Sequence, residues 1–416
     1  MRKSLVILAF FVPASLVAQS VGAPPGVQQA DLPPVERVRD ALEHHPSVIA
    51  ADARVEAARG GADALRAGPH EVTLQGTISR RRVDAEGRDY QEFDGTLSRA
   101  IRLPGKASLD RKAGVLGIEI AENRAEDARH QAALALAELW YRWLGASARH
   151  RNAVATFENL QSAARAVDRR VALRDAAALD ADQAGAALAA AELRIGEEAA
   201  TRDRARAELA ATFPALTLPG DAPEIAVSDP PDSTLETLAA EAVERSHDII
   251  AADREADRQG ALARRSRLDR VPDPSLGFRA FQERGGQEKG LGVYVSMPFG
   301  GGYRRALADQ AAGDARAATA DAANVRLEVE AHSAGDLAET RARLSAWRSA
   351  RAAVARADAA AAKMARGQQV GVIDLGDRLY ADRLAYEARA AEIDARVAAA
   401  HAVTRMRIDA HSLWIE

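Results

Sequence analysis

The chain has 416 residues and a formal net charge of -4, and 47% of its residues are hydrophobic, 28% charged and 4% aromatic. It has no cysteine, which excludes a disulfide framework, and its acids and bases are interspersed, which excludes the basic face that nucleic-acid binding requires. Alanine, Arg, Glu, Asp and Leu fill long stretches that lack glycine and proline. This composition is typical of long packed helices rather than of a compact aromatic core.

Residues 1–20 have the three parts of a secretory signal peptide. A basic start is followed by an apolar run from Leu5 to Val12 and by small residues up to Ser20. The apolar run is too short to span a membrane as a helix, so a cleaved signal is favoured over a membrane anchor or an apolar first strand. We expect cleavage after Ala18 or Ser20, and a proline-rich leader follows over residues 21–34.

The first half of the mature chain is predicted to contain helix, strand hairpin and long helical hairpin in that order. A helical pattern over residues 35–66 ends at Gly68-Pro69, and apolar and polar residues then alternate with a period of two in two strands of about ten residues. Residues 83–89 are predicted to form the polar loop between these strands. The first repeat, residues 35–212, thus consists of the helix, a hairpin over 70–103 and a helical hairpin over 106–212, and a proline-rich linker follows over 213–231.

The same order of elements repeats in the second half, residues 232–416. The helical segment that begins at Ser246 resembles the one that begins at His45. A second strand hairpin and a second helical hairpin follow over residues 273–299 and 303–412. At about 1.5 Å per residue, the helix from Lys106 is roughly 100 Å long, far longer than helices of ordinary globular domains. The sequence therefore predicts an elongated helical cylinder with strand hairpins at one end.

The predicted strands are suited to a membrane. A two-stranded hairpin is marginally stable alone, and strands of about ten residues with one apolar and one polar face are what a membrane β-barrel requires. Four strands cannot close such a barrel, so several copies of the chain must contribute, and the long helices continue its axis as a hollow cylinder. The residues predicted to face lipid are Leu97, Ile101, Val293 and Val295.

Three segments resemble the TolC family of outer-membrane factors, and within it the heavy-metal branch typified by cobalt-zinc-cadmium efflux channels. They are Leu103-Pro104-Gly105-Lys106, Pro272-Asp273-Pro274-Ser275-Leu276-Gly277, and Gly292-Val293-Tyr294-Val295-Ser296-Met297-Pro298-Phe299 with the following Tyr303-Arg304-Arg305. The resemblance implies a mainly α fold with a small β part, built from two tandem repeats of helix, β-hairpin and long helical hairpin. It also implies a homotrimer with a twelve-stranded outer-membrane β-barrel, continued by a periplasmic α-helical barrel.

The family resemblance implies a passive channel in the outer membrane of a Gram-negative bacterium, which works with a periplasmic adaptor and an inner-membrane RND-type pump. The branch implies heavy-metal cations as the exported substrate. Export of drugs or other organic compounds and type I secretion remain open within the family, and a periplasmic adaptor is the alternative from another class. No catalytic constellation is found, no cofactor is expected, and the nine histidines lack the paired spacing of a metal site.

The family closes its periplasmic end near the tips of the helical hairpins, where carboxylates line the constriction. By this resemblance the candidate aperture residues are Asp180, Asp374 and Asp377. In a trimer each becomes a ring of three like charges, which attracts cations. The alternative is a helix cap, because an Asp near a helix start often accepts backbone hydrogen bonds.

The two tips differ in their turn residues. At the second tip, Val370, Gly371 and Val372 resemble the surface that adaptors bind, and the alternative is an ordinary turn. At the first tip, Arg174 stands where the family usually has a glycine. The resemblance therefore does not carry over the turn geometry of the first tip.

Overall fold

The computed structural model describes residues 31–415, so the predicted signal peptide and most of the proline-rich leader lie outside the described residues. Long helices dominate this part of the chain, and four strands form one small sheet. The helices are α1 (Val35–Glu43), α2 (Pro46–Ala67), α3 (Lys106–Ala172), α4 (Ala178–Thr212), α5 (Asp232–Glu244), α6 (His247–Leu268), α7 (Gly302–Gln369) and α8 (Leu375–Asp409), and the strands are β1 (Val72–Val83), β2 (Arg88–Ala100), β3 (Ser275–Glu283) and β4 (Glu288–Ser296). The predicted mainly α fold with a small β part is confirmed.

The single helix predicted over residues 35–66 is in fact two helices, α1 and α2. The break comes just before Pro46, which has no N–H to donate and disfavours helical geometry in the residue before it. His45 instead caps α2, because its Nδ1 accepts a hydrogen bond from the Ser47 N–H at 3.3 Å. The second half breaks at the equivalent place, where the Ser246 hydroxyl caps α6.

The first strand hairpin has a tighter turn than the alternation pattern predicts. Residues at both ends of the expected loop over 83–89 are paired, and Val83 lies opposite Arg88. Gly87 has a φ of 63°, a conformation that glycine adopts without steric cost. The chain therefore reverses within residues 84–87, and both strands gain length.

The four strands form one antiparallel sheet in the order β1-β2-β3-β4. The hairpins of the two repeats join through β2 and β3, where Leu97 lies opposite Phe278 and Ala100 lies opposite Ser275. This order places β1 and β4 at the two edges of the sheet. The β part of the fold is therefore shared by both halves of the chain.

The long helices set the length of the molecule. α3 and α7 contain 67 and 68 residues, so each is roughly 100 Å long. α4 packs on α3, α8 packs on both α7 and α3, and α2 and α6 pack on α3 as well. Small residues allow close approach, since a Cβ on Gly114 would lie 3.0 Å from Ala62 and a Cβ on Gly145 would lie 2.9 Å from Val397. Among the residues that the structure describes, no helix is both long enough and apolar enough to cross a membrane.

The largest hydrophobic core lies midway along α3, where aromatic side chains are buried. The Trp140 and Trp143 rings pack edge to face with centroids 5.2 Å apart, and the Trp140 indole N–H donates to the backbone oxygen of Asp31 at 2.8 Å. The Tyr141 hydroxyl lies 2.9 Å from Thr404 Oγ1 in α8. The core is completed by Phe213, Leu216, Ile225, Leu413 and Trp414 from the linker and the C-terminal segment. These aromatic residues therefore stabilise the middle of the molecule.

Candidate functional site

One face of the sheet is largely apolar and is interrupted by Arg99, which lies between Val72 and Leu276. The strand register places Leu74, Leu97, Phe278 and Val293 opposite one another in one row across all four strands. Leu74 and Ile78 are 78% and 82% exposed. The other exposed members of this face are Val72, Phe93, Leu276, Leu291 and Val295. A contiguous exposed apolar patch of this kind marks contact with a partner or a membrane.

The four residues predicted to face lipid share the alternation phase of this apolar face. Leu97, Val293 and Val295 lie within strands and are exposed. Ile101 has the same phase but follows the end of β2, so the expectation that it belongs to the strand is wrong. Its N–H donates to the backbone oxygen of Pro274 at 2.8 Å, and Pro274 has no N–H with which to continue the ladder. Lipid contact by these residues stays a prediction.

The opposite face of the sheet is polar, and its charged residues are paired across strands. Arg81 of β1 lies 2.6 Å from Glu92 of β2, and Arg279 of β3 pairs with Asp94 of β2. Successive side chains of a strand point to opposite faces, so each strand contributes to both surfaces. Within residues 31–415, β1 and β4 each have one strand neighbour, and their outer edges are open to further strands.

A buried ion-pair network joins the sheet to the helices. Lys106, the first residue of α3, is 1% exposed, and its Nζ lies 2.8 Å from Asp273 Oδ1 and 2.9 Å from Asp269 Oδ1. Asp273 also accepts the Leu103 N–H at 3.0 Å, and its Oδ2 lies 2.8 Å from His70 Nε2. The segments before β1, α3 and β3 therefore meet at one carboxylate.

This arrangement changes the acidity of Asp273. Burial by itself raises the pKa of a carboxyl, but the hydrogen bonds from Lys106, the Leu103 N–H and His70 outweigh burial and lower the pKa of Asp273 to about 2. The carboxylate is therefore charged at neutral pH. Its negative charge balances the positive charge of the Lys106 ammonium group beside it, so neither charge is buried without a partner.

A second carboxylate extends the network between α3 and α6. Asp110 lies 3.0 Å from Arg102 Nη1 and 2.8 Å from Arg265 Nε, and all three side chains are mostly buried. Arg102 also donates to the backbone oxygen of Leu65 at 3.1 Å at the end of α2. The junction between sheet and helices is thus connected by charge as well as by the chain.

The second tip ends α7 with a glycine turn. Gly371 has a φ of 77°, and the N–H groups of Val372 and Gly371 donate to the oxygens of Gly367 and Gln368 at 3.0 and 3.2 Å. This pair of bonds is the Schellman motif. Val370 and Val372 are exposed on either side of the glycine. The tip therefore presents two apolar side chains on a defined turn.

The first tip forms the same motif with an arginine in the glycine position. Arg174 has a φ of 61°, and the N–H groups of Asp175 and Arg174 donate to the oxygens of Arg170 and Val171 at 2.8 and 2.9 Å. A residue with a Cβ is strained at this φ. The two tips thus share one turn geometry although their sequences differ, and Leu173 is exposed at the position equivalent to Val370.

The three candidate aperture carboxylates lie in the first turns of the return helices. Asp374 is the N-cap of α8, and its Oδ1 accepts the Asp377 N–H at 2.8 Å. Asp180 accepts the Ala177 N–H at 3.2 Å at the start of α4. The structure brings Asp374 and Asp377 together on one turn, and Asp180 lies at the other tip. A capping carboxylate also faces solvent, so the aperture role stays a prediction.

Three histidines meet where α3, α6 and the end of α8 converge. The rings of His247 and His411 stack with centroids 4.8 Å apart, and the ring of His130 is edge-on to His411 at 5.6 Å. His130 Nε2 lies 2.8 Å from Asp409 Oδ1. Burial and the two neighbouring imidazoles lower the pKa of His411 to about 4. In the described part of the chain, no three His, Asp or Glu side chains are arranged to hold a metal ion.

Comparisons with known proteins bear on the first half of the chain and on the whole fold. Residues 38–213 match the protein family described as outer membrane efflux protein. The outer-membrane channel OprN superposes with a TM-score of 0.76 at 22% sequence identity, covering 91% of this chain and 90% of OprN. The outer membrane protein VceC from Vibrio cholerae superposes with a TM-score of 0.74 at 18% identity, covering 91% of this chain and 95% of VceC. Comparison with curated protein sequences gives no match.

The chain has a TolC-like fold. A further superposition, on the open state of the MtrE outer membrane channel from Neisseria gonorrhoeae, has a TM-score of 0.72 at 18% identity and covers 97% of both chains. Because nearly the whole of both chains is covered, the sheet and both helical hairpins belong to the TolC-like fold. The predicted tandem arrangement of helix, β-hairpin and long helical hairpin is therefore confirmed.

The junction network is a feature of this TolC-like fold that periodicity in the sequence does not reveal. Lys106 and Asp273 belong to two of the segments that carry the family resemblance, but nothing in their spacing indicates that they meet. The available signal was chemical. A lysine follows Pro104-Gly105 at a helix start, and an aspartate stands between Pro272 and Pro274. Both charged residues lie close to prolines that interrupt helices and strands, so neither is an ordinary residue of a helix face or a strand face.

Proposed function

We propose that this protein is the outer-membrane channel of a tripartite efflux system in a Gram-negative bacterium, a passive homotrimeric conduit that extends into the periplasm. The observation that carries the proposal is the exposed apolar sheet face on a TolC-like fold, with an open strand edge at either side. Several copies contribute four strands each, because strands span a membrane only when every backbone group is paired in a closed barrel, and the TolC-family resemblance implies that the copies are three. The two repeats, residues 35–212 and 232–416, supply one hairpin each.

The two faces of the sheet fit this assembly. The apolar face, with Leu97, Val293 and Val295, contacts lipid, and the polar face with its paired charges lines a water-filled lumen. The four strands contain 9 to 13 residues, about the length of a tilted transmembrane strand. The buried network around Lys106 then holds the barrel on the helical cylinder.

The helical tips form the periplasmic entrance of the channel. Asp374 and Asp377 supply two carboxylate rings at the aperture, and Asp180 supplies a third from the first tip. Val370, Gly371 and Val372 form the surface that binds the periplasmic adaptor, since exposed apolar side chains on a defined turn are suited to protein contact. The adaptor in turn connects the channel to an inner-membrane RND-type pump.

We propose heavy-metal cations as the exported substrate. Support comes from the carboxylates of the tips, which concentrate cations, and from the segments that resemble the cobalt-zinc-cadmium branch. The channel guides the substrate without holding it, so neither a catalytic step nor a cofactor is assigned. Export of drugs or other organic compounds, or of proteins by type I secretion, is the alternative use of the same conduit.

The channel proposal is tested by fractionation, mass and conductance. The chain should sediment with the outer membrane, have the mass of three protomers in detergent and open a steady conductance in planar lipid bilayers. A soluble periplasmic monomer, which the adaptor alternative predicts, contradicts the proposal, and so does a ring of another number of copies. The substrate is tested separately, by survival of cells with and without the protein in cobalt, zinc or cadmium salts. Protection against organic toxicants alone overturns the metal assignment and leaves the channel assignment standing.

A further inference from the structure

The outer end of the apolar sheet face is bordered by basic side chains that the channel function does not use. In β1, Ile78 belongs to the apolar face, and the next two residues of the same phase are Arg80 and Arg82. In β4, Lys289 is the next residue of the same phase outward from Leu291, and it lies in the row of Ile78. We call Arg80, Arg82 and Lys289 the basic border. It lies at the hairpin turns, at the end of the sheet that is remote from the long helices.

The basic border is open to an external ligand. The side chains of Arg80 and Arg82 are 74% and 70% exposed, and Lys289 is exposed as well. Arg80 Nη2 lies 2.7 Å from Asp89 Oδ2, and Arg82 Nε lies 3.4 Å from Asp84 Oδ1. Ion pairs this exposed are weak, because water and salt screen them. A more highly charged anion can therefore replace either carboxylate.

The position of the border in the assembly indicates where such an anion comes from. This step rests on the proposed channel, in which the helices extend into the periplasm. The hairpin turns and the basic border then lie at the level of the lipid headgroups in the outer leaflet. Closing the barrel places β4 of one copy beside β1 of the next, so Lys289 of one copy joins Arg80 and Arg82 of its neighbour at each seam.

We propose that the basic border binds the phosphate groups of a glycolipid in the outer leaflet. The guanidinium group is the side chain best suited to this, since its planar fork of donors matches two phosphate oxygens and it is weakly hydrated. The apolar face below the border packs against the acyl chains of the same molecule. A zwitterionic phospholipid offers less negative charge and free phosphate has no acyl chains, so neither matches both surfaces.

The test uses trimers of the full chain in phosphatidylcholine nanodiscs that contain a minor fraction of diphosphorylated lipid A, with bound lipid A counted by native mass spectrometry. The double variant Arg80→Gln, Arg82→Gln should bind lipid A about tenfold more weakly than the wild type. Arg81→Gln is the matched control, because Arg81 lies between the two on the same strand but points to the polar face and pairs with Glu92. The double variant Arg80→Lys, Arg82→Lys keeps the charge and should retain part of the binding even if the glutamine variant assembles poorly.

Several outcomes overturn the proposal. Unchanged binding in the double glutamine variant, or an equal loss in Arg81→Gln, excludes the basic border as the binding surface. Equal binding of dephosphorylated lipid A excludes the phosphate contact, and displacement by inorganic phosphate at equal concentration excludes the lipid as the source of the phosphate. Trimers that insert and conduct without preferring lipid A refute only this inference. Failure to form inserted trimers refutes the channel proposal and this inference with it.

Discussion

Lys106 Nζ lies 2.8 Å from Asp273 Oδ1, although the two residues are 167 positions apart in the chain. Lys106 begins α3 and Asp273 precedes β3, so their contact ties the sheet to the helices of both repeats. Desolvation makes a buried ion pair costly to form, but removal of one partner leaves the other charge buried and unpaired. The pair therefore makes the junction sensitive to substitution of either residue.

Replacement of Lys106 should destabilise the junction strongly. Lys106→Met keeps the length of the side chain but leaves Asp269 and Asp273 without their shared cation, which should cost about 3 to 5 kcal/mol of folding stability. The measurement is the thermal unfolding of the purified protein. Lys112→Met, which changes an exposed lysine two turns further along α3, is the control and should melt like the wild type. Equal melting of both variants would show that the network does not hold the junction.

The same junction should stay intact at all physiological pH values. The pKa of Asp273 is about 2 in the folded protein against an ordinary value of 3.8. Because the folded value is the lower one, the stabilising contribution is complete above pH 3.8 and is lost as the pH falls from 3.8 towards 2. Loosening of the junction at pH 6, measured by hydrogen exchange of residues 102–110, would contradict this assignment.

The histidine cluster predicts a different pH response at the end of α8. His411 has a pKa of about 4 in the fold against 6.5 in the unfolded chain, so its contribution to stability is complete above pH 6.5 and decreases as the pH falls towards 4. The groups that face the cluster are His130, His247, Arg245, Asp409, Glu126, Asp127 and Asp248. The protection factors of residues 405–415, which are corrected for the slower intrinsic hydrogen exchange at lower pH, should therefore decrease between pH 7 and pH 5.

His411→Asn separates protonation of His411 from other effects of acid. Asparagine tolerates the positive φ of 53° at this position and does not titrate. The variant should lose most of the acid-induced decrease in protection and keep wild-type protection at pH 7. If acid lowers the protection factors equally in variant and wild type, protonation of His411 is not the cause.

Arg174→Gly should stabilise the first tip. Arg174 is held at a φ of 61°, where glycine has no Cβ to strain, so the substitution should gain about 1 kcal/mol in the local opening free energy of the tip. The reciprocal change, Gly371→Arg at the equivalent turn of the second tip, should lose a similar amount. Hydrogen exchange of residues 170–176 and 367–373 measures both. Lower protection of residues 170–176 in Arg174→Gly would indicate that the Arg174 side chain makes stabilising contacts of its own.

Arginine on the apolar sheet face should impair assembly. Leu97→Arg, Val293→Arg or Val295→Arg should each cost about 2 to 4 kcal/mol near the bilayer midplane, whereas Ile101→Arg, beyond the strand end, should cost about 0 to 1 kcal/mol. Thr77→Arg is the control on the polar face, where Asp94 lies directly opposite. Trimer yield in outer-membrane fractions is the readout. Normal yield for the three strand variants would reverse the assignment of the two faces.

The aperture carboxylates can be separated from their capping role by two kinds of substitution. Asparagine also caps helices, so Asp374→Asn with Asp377→Asn should keep the tip folded and lower the cation selectivity of the channel in planar bilayers. Asp374→Ala removes the cap as well and should cost about 1 kcal/mol of local stability. Asp180→Asn tests the first tip in the same way. Wild-type cation selectivity in the double asparagine variant would leave Asp374 and Asp377 as structural residues alone.

The types and the order of the helices and strands follow from local sequence patterns. The period of two in β1 and β3, the long alanine-rich helical stretches and the glycine turn at Gly371 all depend on residues close together in the chain, so local spacing carries them. Repetition of this order in both halves was sufficient to predict the fold class. The helix break before Pro46 was also available from local chemistry, since proline lacks an N–H.

How the two repeats meet could not be predicted from local patterns and became clear from the three-dimensional structure. The pairing of β2 with β3, the contact of Lys106 with Asp273 and the histidine cluster each join residues that are distant in the chain, and no periodic pattern encodes such a pairing. The sequence also left the conformation of Arg174 undecided. A positive φ is unfavourable for arginine by itself, and it is imposed by the Schellman hydrogen bonds that close α3 before the chain returns as α4. The hydrogen bonds of the turn there outweigh the conformational preference of the residue.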